Sequence, residues 1–177
     1  MLIISQHARL IDIEFPKNSI ARLNAAWIKS KKELFDILDG IKNDVFLDFP
    51  EGRHKPPIPV LEIEDLVEAI NLYDKIKYFG ITKVETPEQI KNMKLLIQKR
   101  VLLIPKIESK VGIDNFEAII SQLRENERYI MLDKEDLYTD LHYNIEIFNE
   151  YVGIIKRKCQ SHSIGCLELQ GVIFADD

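Results

Sequence analysis

Lys106, Glu108 and Asp136 are the side chains best placed to do chemistry together. Lys106 and Glu108 close the segment 101–108, an apolar run ending in charge, and Asp136 follows a second apolar run, 129–132, that passes abruptly into charge. Residues 112–123 between them have a helical pattern, so the two runs read as consecutive parallel strands. A strand-helix unit of a (β/α)8 barrel takes about 30 residues, which fits this separation. In-register parallel strands put both charged ends on one rim. The expected equipment there is two carboxylates for a divalent metal and an ammonium for an anion.

Magnesium and manganese prefer hard oxygen ligands, and magnesium binds through one or two carboxylates plus its substrate. Glu108 and Asp136 supply such a pair, leaving coordination sites for a chelating small acid. A 2-oxo acid offers a carboxylate and a carbonyl oxygen to one metal. When its carbonyl becomes an enolate, the metal and a nearby ammonium stabilise the new charge. Lys106 lies two residues before Glu108, on the same face of a strand. Arg22, ending an earlier strand, can grip a phosphate or carboxylate with its planar fork.

The elements that must position these groups alternate along the chain. Strands are expected at 2–5, 20–23, 45–49, 76–81, 101–107, 129–132 and 164–174, and helices at 31–41, 63–72, 87–98, 113–123 and 144–161. Thr86 and Pro87 read as a cap and first helical residue. Alternation of this kind is the signature of an α/β domain with a parallel sheet. The fold expected is a reduced TIM-type (β/α) barrel in a single domain, 1–177, either incomplete or completed by homo-oligomerisation. Two places resist the scheme. Residues 5–20 leave little room for a helix, with 7–15 alternating like a strand. An eighth strand exists only if 164–174 breaks at Gly171. The loop 50–59, rich in proline, should share the rim with Glu108 and Asp136.

Composition sets the outer bounds. A net charge of −5 without a basic tract argues against nucleic acid. Two cysteines, Cys159 and Cys166, make no disulfide framework, so a cytoplasmic setting is expected. No membrane span is expected, because no apolar run approaches about 18 residues. The opening residues lack the flank, apolar centre and cleavage site of a leader peptide. Four histidines show no zinc-like spacing.

Residues 20–24, Phe46-Leu47-Asp48-Phe49-Pro50, Pro105-Lys106-Ile107-Glu108 with Gly112, Asn115 and Phe116, and 130–137 together resemble the pyruvate kinase barrel, in the same order. The resemblance spans about residues 20–171. It implies a site for phosphoenolpyruvate, pyruvate or a related 2-oxo acid, with Lys106 as the active-site lysine and Arg22 as a phosphate contact. It also implies Mg²⁺ or Mn²⁺ on Glu108 and Asp136, K⁺ near Asn24 and Asp48, and substrate contacts from Arg22, Asn24, Lys55 and the position of Glu135. Thr82-Lys83-Val84-Glu85-Thr86-Pro87-Glu88 and residues 135–141 are similar to the citrate lyase β-subunit and oxo-acid aldolase branch.

Departures from the kinase pattern shape the expectation. Only 56–64 stands where the kinase inserts its lid, and the C-terminal domain is absent. Glu135 replaces a glycine, Leu169 a threonine and Ala26 a serine. The expected protein carries out enolate chemistry without independent kinase activity. A carbon–carbon lyase or aldolase is the enzymatic alternative, and a degenerate barrel that binds or senses a metabolite is the non-catalytic one. Taken singly, Glu108 and Asp136 also suit helix starts, where acids are favoured. Lys106 alone reads as an ion-pair partner of Glu108, and Asp48 as a cap of the Pro50 turn.

Overall fold

The computed structural model describes residues 2–5, 15–51, 56–97, 101–170 and 173–175. Seven strands run parallel in chain order: β1 (Ile3–Ser5), β2 (Ile20–Asn24), β3 (Asp44–Phe49), β4 (Ile76–Ile81), β5 (Leu102–Ile107), β6 (Tyr129–Leu132) and β7 (Gly165–Gln170). A short β8 (Ile173–Ala175) pairs antiparallel with both β7 and β1, so the ladder returns to its start. The stretch 164–174 is therefore broken, as an eighth strand required: β7 ends at Gln170 and β8, starting at Ile173, runs the opposite way. An α/β fold stands as expected.

Helices α1 (Lys31–Gly40), α2 (Ile63–Leu72) and α3 (Pro87–Ile97) follow β2, β3 and β4. Their starts obey the capping chemistry of their sequences. Ser30 accepts the Glu33 amide ahead of α1, and Glu62 and Asp65 form a reciprocal box ahead of α2. Pro87 opens α3, but Gln89 Oε1 rather than Thr86 takes the preceding amides, those of Glu85 and Thr86.

The helix expected at 113–123 is broken at Asn115 into α4 (Lys110–Asp114) and α5 (Phe116–Ile120). After β6 comes α6 (Lys134–Asp140), absent from the sequence reading, and then the long α7 (Ile145–Ser161). The strand-like pattern at 7–15 lies almost wholly outside the described residues.

Strand alternation separates two apolar clusters. Ile3, Ile20, Phe46, Ile104, Met131 and Leu167, with Tyr78 and Tyr129, pack together on the inner face of the curled sheet. A larger cluster, from Leu34 on α1 to Ile155 on α7, joins the outer face to the helices. Two residues further along β2, β3 and β5 the inner face turns from apolar to charged: Ile20 gives way to Arg22, Phe46 to Asp48 and Ile104 to Lys106. The inner plug thus floors a polar layer at the carboxyl ends of the strands.

Candidate metal and anion site

Asp48 is fully buried at the centre of that layer. Arg22 Nε donates to Asp48 Oδ2 at 3.0 Å, a second guanidinium nitrogen contacts the same oxygen, and Nη1 donates to Ser5 Oγ at 2.9 Å. Lys106 Nζ lies 3.8 Å from Asp48 Oδ2 on the other side. One carboxylate therefore sits between two cations drawn from different strands. Gly80, beside Asp48 on β4, makes room for it: a Cβ there would stand 2.8 Å from Phe46 Cζ and 3.0 Å from Asp48 Oδ1.

Lys106 also reaches Glu108, with Nζ 2.7 Å from Oε1. The contact is a buried ion pair, and Oε1 takes no further partner among the described residues. Burial alone would lower the Lys106 pKa, but Asp48 and Glu108 outweigh burial and Arg22 and raise it. The lysine stays an ammonium. Glu108 moves the opposite way in charge: burial pushes its pKa up, Lys106 opposes, and Asp133 and Asp136 add to the rise.

The other Glu108 oxygen is held by backbone. Lys83 adopts a left-handed conformation, φ 47°, and its amide donates to Glu108 Oε2 at 3.0 Å. The same turn is welded to the β5 end by the Val84 amide on Lys106 O, at 3.0 Å, and by Asn115 Nδ2 on Glu85 O, at 2.8 Å. Gly112 permits this packing, since a Cβ would lie 2.6 Å from Val84 O. Gly112 and Asn115 thus hold the loops that carry Glu108.

Pairing of Lys106 with Met131 and Ile107 with Leu132 puts Asp133 beside Glu108 at the next step. Asp133 caps α6, its Oδ1 accepting the Asp136 amide at 3.3 Å, and Asp136 follows one turn later. Glu108, Asp133 and Asp136 each offer a carboxylate oxygen, and these oxygens all lie within 4.8 Å of one another. The sequence reading named Glu108 and Asp136 and missed Asp133. Its signal was present as an acid directly after the apolar run and three residues before another acid, the spacing of a helix cap.

Other named residues fall variously. Asn24 Oδ1 accepts the Ala26 amide at 3.0 Å, capping a 3-10 turn at Ala25–Trp27. Glu135 is exposed on the first turn of α6. Lys55 lies outside the described residues, as does the side chain of Leu169. Of the rim set, the structure unites Arg22, Asp48, Lys106, Glu108 and Asp136. Among the described residues Asp133 joins this set as a third acid beside Glu108 and Asp136. Three convergent carboxylates form a hard-oxygen donor set suited to Mg²⁺ or Mn²⁺, with Glu108 the buried member, paired through Oε1 to the Lys106 ammonium.

Among the described residues no helix is long and apolar enough to cross a membrane. No protein-family model and no curated protein matches the sequence. Among solved structures, the fold is similar to the crystal structure of RipC from Yersinia pestis, with a TM-score of 0.63 and 17% identity over 94% of this chain and 74% of RipC. At that identity the likeness concerns the fold alone.

Proposed function

We propose that the chain is a reduced TIM-type barrel whose rim binds Mg²⁺ or Mn²⁺ through Glu108, Asp133 and Asp136. Beside that cation it takes a small 2-oxo acid, pyruvate or a phosphoenolpyruvate-like compound. The observation that carries the reading is the convergence of three carboxylates on one another, one of them, Glu108, paired with a buried, ionised lysine. The bound cation supplies Lewis-acid polarisation of the substrate carbonyl. Lys106, kept charged by Asp48 and Glu108, stabilises negative charge developing on the enolate oxygen. Arg22, oriented by Asp48 and Ser5, faces the substrate's anionic end. Burial around Lys106 and Glu108 strengthens these interactions by limiting competition from water.

A carbon–carbon lyase or aldolase is the second reading, and one observation favours it. The Lys83 turn, where the likeness to that branch is carried, delivers its amide directly to Glu108. Both reactions pass through an enolate. At the positions named for a monovalent cation, Asn24 Oδ1 takes the Ala26 amide and Asp48 Oδ2 the Arg22 guanidinium.

The test is exchange of the pyruvate methyl protons with deuterium from solvent, followed by NMR with Mn²⁺-free, Mg²⁺-loaded protein. Exchange is expected in the wild type and lost in Lys106→Met, with metal binding retained. Absence of exchange in the wild type contradicts enolate chemistry. Cleavage of a 4-hydroxy-2-oxo acid by the same preparation selects the lyase reading.

A further inference from the structure

Glu168, on β7, is a buried acid outside the rim cluster. It shares strand parity with Cys166, which packs in the outer cluster, so it faces the helices rather than the inner plug. Two lysines from two helices close on it. Lys134, the first residue of α6, contacts Oε2, and Lys156 of α7 lies 2.7 Å from Oε1. The Glu168 side chain is only 7% exposed while Lys134 and Lys156 are 44% and 37% exposed, so the acid end of the junction is shielded and the ammonium ends reach solvent.

Its location bears on the rim. Lys134 directly follows Asp133 and comes two residues before Asp136, so fixing Lys134 fixes the first turn of α6. That turn supplies two of the three convergent carboxylates. Helix α6 has seven residues, and Leu137 is the one among them that is fully buried. Its apolar anchors lie past the first turn, where Leu137 is buried and Tyr138 packs edge-on against Phe148 of α7. The Lys134–Glu168–Lys156 junction is the side-chain tie of that first turn to the sheet and to α7.

We infer that Glu168 is a positioning residue that, through Lys134, holds Asp133 and Asp136 in place for a divalent cation. The inference rests on the cation reading of the rim. Partners that orient metal ligands commonly change affinity by about 10–100-fold when removed.

The two lysines allow a test in which electrostatics and positioning predict opposite signs. Removing a positive charge near a cation site strengthens cation binding by Coulomb's law alone. Lys134→Met should instead weaken Mn²⁺ binding, by about tenfold, while Lys134→Arg restores it. Lys156→Met cuts the tether to α7 and leaves the link to α6, so its affinity should stay within about twofold of wild type. Affinities are read by electron paramagnetic resonance of free Mn²⁺ with the full chain, alongside thermal melts of each variant. Tighter or unchanged binding in Lys134→Met overturns the positioning role. Equal weakening in both methionine variants assigns the junction to general stability and overturns it as well. A wild type that binds no Mn²⁺ defeats the cation reading itself, and Glu108→Gln serves as the non-binding reference.

Discussion

Lys106 Nζ stands 2.7 Å from Glu108 Oε1, and both side chains are more than nine-tenths hidden from solvent. The lysine of β5 and the residue just past that strand's end thereby place a cation and an anion side by side, at the edge of an apolar plug. The ammonium is secured by two carboxylates, whereas the glutamate has a single cation partner and two acidic neighbours. This asymmetry leaves Glu108 as the group that gains most from a further positive charge.

The pH dependence of stability follows from it. Burial, reinforced by Asp133 and Asp136, raises the Glu108 pKa above its ordinary 4.5. The folded state therefore binds this proton more tightly than the unfolded chain does. The stabilisation is complete below the ordinary pKa and is lost as pH climbs through the raised one. Glu108→Gln cannot ionise and should be more stable than the metal-free wild type at pH 8. A gain of about 2–4 °C in Tm corresponds to ~1 kcal/mol for a chain of this size. Calorimetric melts from pH 4 to 8 in chelator check it, and equal Tm profiles for the two proteins refute it.

Asp48 should be the costliest single truncation on the rim. Asp48→Ala leaves Arg22 and Lys106 facing each other without their shared anion, a loss of about 3–5 kcal/mol for a broken buried charge pair. Urea unfolding reads this as a lower midpoint at unchanged slope. A change under 1 kcal/mol would show that the three charges are not coupled.

Gly80 answers to close approach. A methyl group there meets Phe46 and Asp48 at or below 3.0 Å, so Gly80→Ala should destabilise the fold by about 1–3 kcal/mol through overpacking. The double variant Gly80→Ala, Phe46→Leu should recover part of that loss in the same urea measurement. Failure to recover would place the clash on Asp48 instead.

Much of this arrangement was legible in residues 101–108 and 129–136. Period-2 parity put Lys106 and Glu108 on one face, and parallel pairing of β5 with β6 carried Asp136 to the same rim. Asp133 escaped because a capping acid looks structural, and here the same side chain caps a helix and joins the cluster. Helix α6 escaped because seven mostly polar residues show no apolar period. The reversal between β7 and β8 was half legible: Gly171 marked the break on which an eighth strand depended, but so short a strand has no pattern of its own to give its direction. The split at Asn115 depends on tertiary contact, since its side chain leaves the helix to bond Glu85 O.

Most direct of all is a calorimetric titration of the full chain with Mn²⁺ at pH 8. The account predicts a single class of site in the wild type, abolished in Glu108→Gln and strongly weakened in Asp133→Asn and Asp136→Asn. A wild type without measurable binding, or a triple variant of these acids that binds as tightly as the wild type, would contradict it.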